Sequence, residues 1–461
     1  MCDGIAEEFR GIDLGDERLN RRSVRIIEAL AADPEASVNS ACGTWGDTMA
    51  AYRFFRNPAV DPSGILAPHF KATKGRMAEH PVVLIAQDTT EFDFTLHPAE
   101  DAGCLNTADR FGFYDHTHLA VTPDRLCLGV VGSEQFSRTA ESLGQSQQRR
   151  NLPIEDKESF RWLAGYRLAS DLAGDCPDTQ VVSVADSEAD IYDIFVEAEQ
   201  HATPAELVIR AKVERSTPER DPDAGPAVYG KVRDEVSASK IRGRRTVDLP
   251  RTPKRAARKA ELEIRAMRVE VKSPHARSHL PGVTFNVVLV EEAGGPEDGT
   301  DVSWLLITTL PIDSFEDILH VIDCYLARWV IEVYFRVLKT GCRVEKIQLE
   351  TTSRIKNCLA FYKIIAWRVM QLTYLNRECP SMSCTAVFDD SEWKSVWRVT
   401  TKQELPQKPP PLSEFIPLLA QLGGYNNRPS EPPPGPQAIW VGIRRMTDFA
   451  VAWLTFGPDG K

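Results

Sequence analysis

The sequence predicts a mixed α/β fold, a sheet core with helices around it and helical regions at both ends. Three observations predict it. Apolar runs at 82–86, 179–185, 205–213 and 302–312 read as core strands, and the first is continuous enough to be buried on both faces. Segments that read as helices, such as 157–174 and 314–341, alternate with them. Residues 1–70 and the last eighty residues carry helical patterns and no long strand.

Along the chain, "DLGDERLNRRSVRIIEALAAD" (13–33) places Leu19, Val24, Ile27 and Leu30 on one side, with arginines between them. "GDTMAAYRFFRNP" (46–58) reads as a second helix, with Asp47 as N-cap and Pro58 as its stop. The strand at 82–86 ends just before Asp88. Two strands over 111–136 flank the turn Thr122-Pro123-Asp124. A helix over 157–174 ends at glycine, and 179–200 reads as strand, Asp186, then helix. Residues 214–300 are polar and basic with short alternating runs such as 260–272, the pattern of a β-rich insertion. After the strand at 302–312, residues 314–341 read as one long helix stopped by Gly341, and 357–375 as another apolar helix. Proline-rich connectors at 405–411 and 428–436 separate short terminal helices.

A chain of 461 residues with 42% hydrophobic content has room for two or three domains. No run approaches the ~18 apolar residues of a membrane helix, and the start has no signal-peptide core, so a cytoplasmic protein is expected. Ten cysteines without CxxC pairing read as reduced thiols. His116 and His118 stand at strand spacing and read as structural or solvated side chains. The net charge of −11 opposes nucleic-acid binding, but residues 240–277 carry 13 Lys/Arg against 4 Asp/Glu, and Arg18, Arg21, Arg22 and Arg25 form a second basic cluster. Local patches decide phosphate affinity.

The segment "YLARWVIEVYFRVLK" (325–339) carries the most specific signal. On a helical wheel Tyr325, Arg328, Glu332, Arg336 and Lys339 fall within roughly 80° of an otherwise apolar surface. An i,i+4 pair between Arg328 and Glu332 accounts for two of these residues and leaves the shared stripe unexplained. Asp88 and Asp186 each follow an apolar strand, where a carboxylate serves as a cap, a turn residue or a ligand. Two or three converging carboxylates suit Mg²⁺ or Mn²⁺, and a pair of such ions activates one phosphodiester oxygen and stabilises another. On that reading Glu332 reaches the metal, while Arg328, Arg336 and Lys339 hold phosphates.

Tyr325-x2-Arg328-x3-Glu332-x6-Lys339 resembles the YREK signature of bacterial DDE transposases of the insertion-sequence-four family, the transposon-five type in particular. "DLGDERLNRR", "AAYRFFRNP", "QDTT" (87–90), "DKESFRWL", "ADSEADIYD" (185–193) and "SWLLITTLPI" follow in the family's order, so the resemblance covers nearly the whole chain. It implies an RNase H-like catalytic core over 71–380 with 214–300 as its β-rich insertion. It further implies a DNA-end-binding domain over 1–70 and a dimerising C-terminal region over 381–461. Asp88, Asp186 and Glu332 would be the catalytic triad that binds two Mg²⁺ or Mn²⁺ ions. Tyr325, Arg328, Lys339, Arg210, Lys212, Arg22 and Arg53 would contact DNA, joined by Arg336 on the stripe reading above, and Trp304 would receive a flipped base. The implied partners are transposon-end DNA, target DNA and a second copy of the chain, and the implied activity is cut-and-paste transposition. Ser187 stands where the family's second motif has arginine, and Ala32 and Asp33 replace a basic and an aromatic DNA contact, so a different end sequence is expected. A catalytically silent DNA-binding protein and a structure-selective nuclease on the same core are the competing expectations.

Overall fold

The computed structural model describes residues 5–145, 152–218, 230–249, 256–296 and 301–457. The N-terminal helices are α1 (Glu17–Ala32), α2 (Val38–Cys42), α3 (Trp45–Arg56) and α4 (Pro62–Met77). They lead into β1 (Val82–Asp93), β2 (Gly103–Cys104), β3 (Phe111–Val121) and β4 (Cys127–Phe136). Next come α5 (Phe160–Asp175), β5 (Gln180–Ala185), α6 (Tyr192–Gln200) and β6 (Glu206–Arg210). The insertion holds α7 (Val232–Ala238), β7 (Ile241–Leu249), β8 (Arg258–Val271) and β9 (Val283–Glu292). Then follow β10 (Ser303–Thr308), α8 (Phe315–Ala327), α9 (Trp329–Arg336), α10 (Thr352–Glu378), α11 (Asp390–Thr401), α12 (Leu412–Leu422) and α13 (Pro436–Phe456). The mixed α/β class, the helical ends and the β-rich insertion are as the sequence predicts.

Four local readings need correction. The helix expected over 46–58 starts on Thr44, whose hydroxyl accepts the Asp47 N–H at 3.1 Å and donates to the Asp47 carboxylate at 2.7 Å, so Asp47 is the third helical residue and not the cap. Asp88 lies inside β1, which runs on to Asp93. Helix α5 passes through Gly174 to Asp175, because its last turn closes on Cys176 N–H to Leu172 C=O. The helix expected over 314–341 is three pieces. It breaks at Arg328, whose N–H bonds back to Tyr325 at 3.2 Å in a tightened turn, and it ends in a π turn over Val337–Gly341.

The chain forms two compact units. One contains residues 1–77, 89–144 and 330–461. Its axis is α10, buried along nearly every side from Ile355 to Thr373 and packed by α1, α3, α4, β4, α12 and α13. Phe361 on α10 meets Phe9, Phe54 and Phe55 at ring separations of 5.5–6.0 Å. Fully buried Lys363 bonds Asp115 of β3 and Ser133 of β4. The ion pair stands in an apolar interior, so its hydrogen bonds offset its desolvation.

The other unit contains residues 78–88 and 145–329. The first part of β1, then β5 and β6, run parallel, and β10, β9, β8 and β7 continue the sheet antiparallel. The insertion therefore widens the sheet that carries β5, with β7 as its edge. Helix α5 packs on β5, and α8 packs on β5 and β6. Among the described residues no helix is long and apolar enough to cross a membrane. The described cysteines are free thiols.

Candidate active site and nucleic-acid interface

Strand register assembles the site in the second unit. Strands β1 and β5 pair in parallel from Val82↔Gln180 to Ala86↔Val184. Strand β5 ends at Ala185, so Asp186 stands just past it, and Asp88 lies two residues beyond the last β5-paired position of β1. Strands β5 and β6 pair through Ala185↔Ile209, one residue before Asp186 and Arg210. Asp88, Asp186 and Arg210 thus lie toward the same end of three neighbouring strands. Strand β10 lies on the other side of β6 through Leu306↔Arg210, and Ala211 donates to the carbonyl of Leu305, the residue next to Trp304, at 2.7 Å.

Each carboxylate is held differently. Asp186 caps the short turn Ser187–Ala189, accepting the Glu188 N–H at 2.8 Å. Asp88 accepts from the Arg328 guanidinium at 3.0 Å, in a pair with side chains only 17% and 10% exposed. The Arg328 guanidinium also lies 6.0 Å from the Tyr325 ring centre, and that ring packs against Trp304 at 5.9 Å. Asp88, Asp186, Tyr325, Arg328, Trp304, Arg210 and Lys212 are therefore gathered in one unit. Arg210 and Lys212 are exposed, whereas Tyr325 and Arg328 are buried. Two hard carboxylates on adjacent strands are the donor set that a small divalent ion takes. Among the described residues no group of three or more His, Cys, Asp or Glu side chains is clustered as a metal site.

The remaining candidates belong to the other unit. Glu332 is half-buried in the first turn of α9 and Arg336 is exposed at its end. Lys339 lies in the π turn, 3.7 Å from the Glu345 carboxylate and 5.7 Å from the Phe92 ring centre. Arg22 on α1 pairs with Asp47 on α3 at 3.1 Å, and the Thr44 hydroxyl, then this salt link, hold the Asp47 carboxyl below its ordinary range. Arg53 on α3 is exposed, and so is Trp45 at the start of the same helix, at 76%. A groove lined by Arg22, Arg25, Ala29, Ala32, Cys42 and Asp47 runs between α1 and α2–α3.

The basic run over 240–277 is not the open cationic patch its composition suggests. Arg244 bonds Glu263 at 2.8 Å, Arg245 bonds Asp323 at 2.9 Å, and Arg242 donates to the carbonyls of Ile312 and Asp313. Arg258 grips Glu292, and Arg277 pairs with Asp193 at 3.3 Å. Arg251, Lys254 and Arg255 lie outside the described residues.

Sequence reasoning missed Asp190 and Arg215, a buried ion pair behind the Asp186 turn. Asp190 stands in the motif that flagged Asp186, but its partner is 25 residues away and no local pattern ties them.

Comparison with known proteins bears on both ends of the chain. Residues 1–60 match a family model described as transposase DNA-binding, and residues 364–453 match the transposase Tn5 dimerisation domain. A solved synaptic complex of piggyBac transposase with hairpin DNA aligns over 95% of this chain and 72% of that chain, with 8% identity and a TM-score of 0.33. The two family matches lie at opposite ends of the chain, both to models of transposase domains.

Proposed function

We propose that the chain is a cut-and-paste DNA transposase with an RNase H-like core. It would bind the terminal inverted repeats of its element, cleave phosphodiesters and join the 3′-OH ends to target DNA. The observation that carries the reading is the placing of Asp88, Asp186 and Arg210 toward one end of three neighbouring strands, with Arg328 on Asp88 and Tyr325 between Arg328 and Trp304, in a chain whose ends match transposase DNA-binding and dimerisation models.

In this reading Asp88 and Asp186 hold two Mg²⁺ or Mn²⁺ ions, and Glu332 is assigned the third carboxylate on its place in the YREK signature. Bound there, such ions would supply Lewis-acid activation of the attacking oxygen and charge neutralisation at the leaving one. Arg328 offsets repulsion between the neighbouring carboxylates and presents a guanidinium suited to phosphate. Arg210, Lys212, Arg336 and Lys339 bind the DNA backbone, and Tyr325 donates a hydrogen bond to it. The face of Trp304 takes an unstacked base. Arg22 and Arg53 engage the transposon end, and the C-terminal helices join two copies so that both ends are cut together.

The test is cleavage and strand transfer by purified full-length protein, with Mg²⁺ and a duplex carrying the terminal repeats that flank the gene. Asp186→Asn and Glu332→Gln are each expected to keep end binding and abolish nicking. Retained cleavage in either variant removes that residue from the metal site. End binding by wild-type protein without any nicking favours the silent DNA-binding protein, and cutting of branched DNA without end preference favours the nuclease.

A further inference from the structure

The turn that opens on Asp186 closes on Asp190, a carboxylate with no part in the chemistry above. Its side chain is fully buried. One oxygen accepts the backbone N–H of Lys212 at 2.7 Å and of Val213 at 2.6 Å, and the other takes the Arg215 guanidinium. Arg215 is itself buried, with its guanidinium 4.9 Å from the Phe195 ring centre and 5.7 Å from that of Tyr192. A buried charge this well satisfied is anchored strongly, because losing any partner leaves ionic groups stranded.

What the clasp holds is specific. Beyond Arg210, where β6 ends, Ala211 donates to the Leu305 carbonyl and Asp190 accepts the next two backbone N–H groups. Lys212 has its backbone clamped while its side chain stays exposed, two residues past the end of β6. We infer that Asp190 is a positioning residue for DNA. Its clasp with Lys212, Val213 and Arg215 fixes the segment after β6 so that Lys212 meets a phosphate of the DNA end beside Asp186. Fixing the backbone in advance removes part of the ordering cost of that contact. One short turn then ties the carboxylate that cuts to the lysine that grips. The inference rests on the transposase reading.

A double-mutant cycle tests it, with the full-length protein, the terminal-repeat duplex and equilibrium binding across a salt series. Asp190→Asn keeps the shape but turns an amide N–H₂ toward Arg215 or toward the two backbone donors. Both Asp190→Asn and Lys212→Ala are expected to weaken end binding, and Lys212→Ala to lower the slope of log affinity against log salt by about one. The double variant is expected to bind like Lys212→Ala alone, within about twofold, because Asp190 acts through Lys212. Losses that multiply, or wild-type affinity in either single variant, overturn the inference and leave the transposase reading intact. If Asp190→Asn does not fold, Arg215→Lys, which keeps the charge and loses the fork, takes its place in the same cycle. Wild-type protein that ignores the ends overturns both readings.

Discussion

Asp88 and Arg328 are 240 residues apart and meet at 3.0 Å, and this single contact orders much of the site. Carboxylates on neighbouring strands raise each other's energy unless a cation stands beside them. Arg328→Ala is therefore expected to cost about 10–100-fold in cleavage, the range for a group that orients a metal ligand, and to move the Mg²⁺ midpoint in a cleavage titration. Lys363 and Asp115 form a second ion pair with no exposure on either side chain. Lys363→Met strands the Asp115 charge and is expected to destabilise the protein by about 3–5 kcal/mol in urea unfolding. His118 gives a pH signature. Burial is the main cause that lowers its pKa from 6.5 to about 4. The unfolded chain protonates first as the pH falls, so stability present above about 6.5 is lost progressively down to about 4, by at most about 3 kcal/mol. Unfolding midpoints at pH 7.5 and pH 4.5 check this, and His118→Asn should remove that share of the difference.

The elements show how far local pattern reaches. Alternation, apolar runs and caps made most strands and helices legible in advance, because those signals lie within ten or twenty residues. Pairing registers were not legible. Asp88 and Asp186 could be suspected singly, but their lying toward the same end of neighbouring strands follows from β1–β5 pairing across about a hundred residues. The break at Arg328 was equally hidden. No glycine or proline marks it, and the helix interrupts where a side chain is drawn to a distant carboxylate. At Thr44 and Asp47 two good capping residues stand three apart, and the reciprocal pair puts the hydroxyl outside. Close packing of α12 on α13 had no clear sequence mark either. A Cβ on Gly442 would stand 2.3 Å from the Leu419 carbonyl oxygen. Gly442→Ala is expected to separate these helices and to cost about 1–3 kcal/mol, seen as a lower unfolding temperature.

For the whole molecule, the net charge of −11 means that on the transposase reading DNA would be held by local clusters, against a repulsive average. The basic insertion contributes less to that than its composition implies, since many of its described arginines are committed to internal acids. Affinity for the ends should therefore respond to a few residues. Arg53→Ala is expected to lower the salt slope by about one, whereas Arg245→Ala should leave it unchanged; binding isotherms between 50 and 200 mM salt, roughly the range in which phosphate contacts dominate, separate the two. The internally paired arginines have a different use. Among the described residues strand β7 is the outermost of its sheet, and Arg242, Arg244 and Asp248 stand exposed along it, alternating with half-buried neighbours. An open strand edge invites another backbone to join it, and charge along the edge discourages that. In a chain whose C-terminal region matches a dimerisation model, such a guarded edge would disfavour adhesion of two copies strand to strand and leave pairing to the helical end.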